Sequence, residues 1–355
     1  MSSGCYRGRV RRGQRESFDP RGLLVLDISA YLFDQLSQGC LRSSSGGSTI
    51  HMMVCFIVTV FLFVIFAPAH AWAWGPITHL AHGSEVLENL TILGLPLQQL
   101  LRRHRLEYLY GCVGADITVA KKYTRAEQAH CHSWEVGWAI LHRAETAAQR
   151  AFSYGYLTHL AGDVYSHNHF VPTQLIVSFR ARTLRHIYWE ARFDALQRSV
   201  GRTIIRELRA HHFPHCDALV ENVVSRTLFS FRTNKRIFDS FIAVHDLEQW
   251  HRIMRRLSIH SRHLLPPELV ARYNAACHAS IIDVLEHGEH ADCQAADPTG
   301  LNAISLAKEV RSMLKALDRQ GRVTERLQRE INALNERREL PAPDHPPLLH
   351  VSGAE

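Results

Sequence analysis

At 355 residues, with 46% hydrophobic and 21% charged side chains, the chain has apolar material for one large domain or two small ones, which excludes an intrinsically disordered protein. Its formal charge of +7 is unevenly placed: residues 1–73 carry seven arginines against four acidic residues, so +3 lies there and only +4 in the rest. So mild a surplus argues against a nucleic-acid groove.

Residues 1–51 are rich in Arg, then in Ser and Gly, and read as an upstream extension outside the fold, with Met52 or Met53 as the effective start. From Met52 to Ala69 the chain is apolar and uncharged, broken at Pro68, and small residues follow at Ala69, Ala71 and Ala73. This is the pattern of a secretory signal peptide over 52–73, cleaved after Ala71 or Ala73, and it places the mature chain outside the cell or in the periplasm. The alternative is a membrane anchor through residues 52–69, for which the run is shorter than the roughly 20 residues of a spanning helix. Beyond the cleavage point lie Cys112, Cys131, Cys216, Cys277 and Cys293. An odd number without Cys-x-x-Cys spacing provides neither a disulfide framework nor a thiolate zinc site.

In the mature chain, His79 to Leu93 has helical apolar spacing and stops at Gly94-Leu95-Pro96. Leu97 to Tyr110 predicts a second, amphipathic helix, followed by a small-residue turn from Gly111 to Asp116 and a polar loop from Lys121 to His132. Trp138 to Ala161 predicts one long helix with Phe152, Tyr156 and Leu160 inward. Further helices are predicted at about 184–209, 217–230, 235–256, 267–286 and 302–337, the last folded into a pair around Gly321. No β alternation interrupts them, so the class is all-α. Residues 340–355, with four prolines, form a tail.

The chemistry concentrates between Tyr156 and Pro172. His159 and Asp163 lie one helical turn apart and share a face, a pairing that suits zinc. His186 and Glu190 repeat the spacing, and His167 and His169 lie between the two pairs. A core histidine needs no acid on its own face, whereas a metal ligand often has one. The same stretch is expected to leave the helix through Ser166, Asn168 and Pro172. Cleavage before Trp74 would free an α-amino group that chelates a metal together with its own carbonyl, with His79 close by in sequence. Asp116 offers a carboxylate in an apolar turn, and His132, or His130 two positions earlier, offers an imidazole. His211, His212, His215 and Cys216 read as a loop with exposed histidines, not as a metal site.

This order of residues resembles the zinc-dependent phospholipase C family, which includes the secreted bacterial phosphatidylcholine-hydrolysing enzymes and alpha-toxin. Its metal site is similar to that of the fungal single-strand-specific nucleases. The resemblance covers Trp74 to about Glu190 and implies a multi-helix bundle enclosing a cleft for three zinc ions. It assigns Trp74, His79 and Asp163 to one ion, Asp116, His132, His159 and a bridging Asp163 to the second, and His169, His186 and Glu190 to the third. His167 is then a bystander or an outer partner. The implied reaction is phospholipase C cleavage of a phospholipid to diacylglycerol and a phosphorylated head group by a zinc-bound hydroxide, with Asp116 as ligand and general base. Ile117 stands where the phosphatidylcholine enzymes place a tyrosine, which leaves choline specificity open. Nuclease or nucleotidase chemistry at the same zincs, and a non-catalytic secreted protein stabilised by zinc, are the alternatives. The expected partners are a phospholipid or other phosphodiester and, transiently, a membrane surface, with no stable nucleic-acid partner. The domain expectation is a catalytic unit over 74–300 and C-terminal helices over 301–339.

Overall fold

The computed structural model describes residues 74–118, 130–181, 186–197, 200–224, 229–246, 252, 261, 263–337 and 340. The expected extension (1–51), signal peptide (52–73) and all but the first residue of the tail lie outside them. Among the described residues there are helices, turns and irregular segments but no strand, so the fold is all-α. The principal helices are α1 (Pro76–Glu88), α2 (Leu95–Arg103), α3 (Arg105–Gly111), α4 (Trp134–His142), α5 (Ala147–Tyr165), α6 (Val171–Val177) and α7 (His186–Asp194). After them come α8 (Val200–Arg209), α9 (Pro214–Val223), α10 (Phe231–Asp246), α11 (Pro267–His287), α12 (Leu301–Arg319) and α13 (Glu325–Ala333).

Local chemistry explains several boundaries. Pro76 opens α1, where its missing N–H is harmless. The predicted long helix is in fact two: α4 is capped by Ser133, and α5 starts afresh at a capping box in which Thr146 and Gln149 satisfy each other's backbone amides. The predicted Leu97–Tyr110 helix likewise divides at His104 into α2 and α3, and the predicted 184–209 helix into α7 and α8.

The expected exit from the helix after Tyr165 does not occur. Ser166–Phe170 instead forms a π-helical turn that leads directly into α6, with Pro172 in the first turn of that helix, where it is tolerated. One continuous rod therefore carries His159, Asp163, His167 and His169.

α5 is the axis of the fold: α3, α4 and α11 pack along it. Two glycines set its distance from α3. A Cβ on Gly155 would lie 2.0 Å from the Tyr108 carbonyl oxygen, and one on Gly111 would lie 2.0 Å from that of Phe152. Only glycine permits so close a backbone crossing, and the crossing brings the end of α3 beside His159.

Candidate metal centre

Five of the expected ligands form one cluster, in which three imidazoles face the Asp163 carboxylate. His79 Nε2 lies 3.4 Å from Asp163 Oδ1, while His132 Nε2 and His159 Nε2 lie 3.2 Å and 3.1 Å from Oδ2. Asp116 Oδ1 is 3.4 Å from His132 Nε2. The five residues come from four supports: His79 from α1, Asp116 from the short 3-10 turn Gly114–Ile117, His132 from the residues preceding α4, and His159 with Asp163 from successive turns of α5. All five are 2% exposed or less, so the cluster lies inside the fold.

Hydrogen bonding decides which electron pairs point inward. The Cys112 carbonyl lies 2.9 Å from His159 Nδ1 and can only accept, so Nδ1 carries the proton and Nε2 presents its lone pair. The glycine crossing is what puts that carbonyl there. On His132, Nδ1 faces Cys131 Sγ at 3.4 Å. The Nε2 atoms of His132 and His159 then stand 3.0 Å apart, beside an Asp163 oxygen. Neither Asp163 oxygen and not His79 Nε2 has a hydrogen-bond partner despite complete burial. Orphaned polar atoms of this kind are costly unless a cation completes them. The spacing agrees: two ligands about 2.1 Å from one tetrahedral zinc are roughly 3.4 Å apart. The residues present therefore fit zinc.

The charge states agree as well. Burial, followed by the neighbouring His159, lowers the His79 pKa from 6.5 to about 4, so its imidazole is neutral near pH 7. Burial by itself would raise the Asp163 carboxyl, but His159 and His132, helped by His167, outweigh it and hold it well below the usual carboxylate range. A carboxylate and neutral imidazoles are the forms that bind a metal.

The remaining expected ligands are placed differently. Trp74 is buried between Phe170 and Phe193, and its indole N–H donates to the Gly162 carbonyl at 3.1 Å, which pins the start of the described chain to the turn that carries Asp163. Glu190 is buried, and His167 Nε2 lies 3.6 Å from its Oε1. His169 is also buried, its ring 5.2 Å from that of Tyr165. His186 opens α7, and its side chain lies outside the described residues. His130 is half-buried, and its Nδ1 accepts from the His132 amide at 3.1 Å, so of the two alternatives it is His132 that reaches Asp163. His211 and His212 are exposed between α8 and α9 and His215 is exposed in the first turn of α9, with Cys216 buried, and the five described cysteines are free.

Two contributors escaped the reading of the sequence. Asp194, one turn beyond Glu190, accepts from the Thr78 amide at 2.8 Å and from the Thr78 hydroxyl at 3.0 Å, and so caps the helix that presents His79. Its spacing extends the His186, Glu190 series and was a readable signal. His82, one turn after His79, is buried with Nε2 3.1 Å from Asn274 Oδ1, which places a second imidazole behind the first.

Residues 78–254 match the model of the zinc dependent phospholipase C family, a span that includes every residue of the Asp163 cluster. No curated protein and no solved structure gave a significant match. The family's chemistry is zinc-dependent phosphodiester hydrolysis, and both the all-α fold and the buried His/Asp groups agree with it. By that match, with a cluster of the fitting donors inside it, the chain belongs to the zinc-dependent phospholipase C family.

Proposed function

We propose that the protein is a secreted phospholipase C that cleaves a phospholipid to diacylglycerol and a phosphorylated head group. One observation carries this reading: the two oxygens of Asp163 face separate imidazoles, His79 on one side and His132 with His159 on the other, as a carboxylate shared between two ions requires. Asp163 Oδ1, His79 and the terminal amino and carbonyl groups of a Trp74 freed by cleavage would hold one zinc. Asp163 Oδ2, Asp116, His132 and His159 would hold the second, and His169, His186 and Glu190 the third. Zinc bound there would polarise phosphoryl oxygens and acidify water near neutral pH.

The chain's own groups do the rest. The Cys112 carbonyl keeps His159 Nε2 deprotonated and aimed inward. Asp116, whose Oδ1 lies 3.4 Å from His132 Nε2, is the general base, taking a proton from the attacking water. The catalytic unit extends over 74–300, because Trp134 donates from its indole N–H to the Ala296 carbonyl at 3.0 Å and the 297–300 turn packs against the central rod.

The test is release of phosphorylated head group from phospholipid vesicles by protein beginning at Trp74, run beside single-stranded DNA and mononucleotides. Head-group release that chelation abolishes and zinc restores is expected. Cleavage of nucleic acid with phospholipid untouched would move the protein to the nuclease reading, and no cleavage of either by zinc-loaded protein would leave a zinc-stabilised, non-catalytic one.

A further inference from the structure

His167 has the chemistry of a metal ligand in its own right. It is 6% exposed, and its Nδ1 lies 2.6 Å from the Pro298 carbonyl oxygen, which can only accept. In the neutral ring Nδ1 therefore carries the proton, and Nε2 presents a lone pair. That lone pair faces Glu190 Oε1 at 3.6 Å, and neither Glu190 oxygen has a hydrogen-bond partner although the side chain is 2% exposed. A separation of 3.6 Å is too long for an N–H···O bond, which spans about 2.7–3.2 Å. It is close to the roughly 3.4 Å between two ligands of one tetrahedral zinc.

The backbone supports the same role. His159, Asp163 and His167 succeed one another at four-residue intervals along the rod, and the π-helical turn begins just before His167. Such turns re-aim side chains and recur at functional sites. Residues two apart on a helix do not face the same way, so His167 and His169 point to different surroundings.

A second segment holds the turn in place. Asn168 Nδ2 donates to the Asp297 carbonyl at 2.8 Å and to the Val164 carbonyl at 3.0 Å. Gly300, at φ 57, lies so close that a Cβ there would come within 2.4 Å of the His167 Cβ. This buttress of residues 297–300 falls beyond the part of the chain that matches the family.

We propose that His167 ligates, through Nε2, the same metal ion as Glu190, and that the 297–300 turn is the element that fixes its tautomer and aim. The proposal rests on the zinc reading of the cleft but not on the identity of the substrate.

The experiment uses the full mature chain, His167→Asn and His169→Asn, each refolded or purified with zinc and then with cobalt(II). Zinc per chain is read by elemental analysis and the cobalt environment by visible absorption. Loss of about one zinc equivalent in His167→Asn, with an altered cobalt spectrum and a parent-like circular dichroism spectrum, is expected. An unchanged zinc content and cobalt spectrum would overturn the assignment, whatever His169→Asn does. Should His167→Asn fail to fold, His167→Cys decides: a thiolate-to-cobalt charge-transfer band absent from the parent supports ligation, and full cobalt loading without that band refutes it. Phospholipid hydrolysis is scored separately, so a zinc-loaded protein that spares lipid sinks the substrate reading alone. A parent that takes up no zinc sinks both.

Discussion

Asp163 and Glu190 are both buried, both carried on helices and both beside histidines, yet they stand in opposite charge states. Three imidazoles crowd Asp163, and His159 and His132, helped by His167, outweigh the cost of burial, so the carboxylate stays ionised. At Glu190, burial pushes the pKa up to about 8 against the pull of His167, and Asp163 and Asp116 add repulsion. The first site is therefore set for a cation before any cation arrives, whereas the second must give up a proton to take one. The lesson is that the histidines around a buried carboxyl, more than its burial, determine whether it is ionised before a metal arrives.

The largest blow to this contrast comes through the backbone. Gly155→Val would drive a side chain into the Tyr108 carbonyl and separate α3 from α5, taking the Cys112 carbonyl away from His159. A destabilisation of about 3 kcal/mol is expected in denaturant unfolding, with weakened zinc binding at the Asp163 cluster. A next-smaller effect separates the two carboxyls by pH. The folded chain raises Glu190 from 4.5 to about 8, so between those values it holds a proton that the unfolded chain has lost. Metal-free protein should accordingly lose stability as pH rises from about 4.5 to about 8, and Asp194, raised from 3.8 to about 7 by burial, adds to the trend. His79 and His82, lowered from 6.5 to about 4, act in the other direction and remove stability as pH falls through that window. Thermal melts of chelated protein should flatten on the alkaline side in Glu190→Gln, and zinc should abolish the alkaline decline in the parent.

Smaller still, Asp194→Ala removes the cap on α1 and should cost about 1 kcal/mol. It should also weaken zinc at the His79 side of Asp163 about tenfold, as losses of outer partners do, while the Glu190 side is spared. A comparable loss on both sides would show that the two regions are one cooperative site. The smallest effect is expected from His211→Ala: an exposed histidine on neither side should alter stability by less than about 0.5 kcal/mol and leave zinc content unchanged.

How much of this could be read beforehand follows from sequence distance. His159 and Asp163 announce themselves because a helix turns every 3.6 residues, and that regularity is local. His79, Asp116 and His132 were legible only through their order relative to that pair, and the structure brings them to it. The capping box at Thr146 and Gln149, which divides the predicted long helix, is readable, but the apolar spacing that runs through it hides the break. The break at His104 has no Gly or Pro to mark it. Two features could not be read at all. The contact of Gly111 with Gly155 depends on how two helices cross, and the bond from His167 to Pro298 spans 131 positions. Without that bond, His167 looks like a bystander two residues from the expected His169. The π-helical turn that aims it has no side-chain signature, since Ser166, Asn168 and Pro172 favour an exit from the helix that packing against residues 297–300 overrides.

The central claim, that Asp163 organises a zinc site of more than one ion, is most directly tested by zinc content per chain in the mature protein and in Asp163→Asn, with folding checked by circular dichroism. More than one zinc in the parent, falling by at least one in the folded variant, is the result this account predicts. A parent with one zinc or none, or a variant that keeps the parent's full complement, would contradict it.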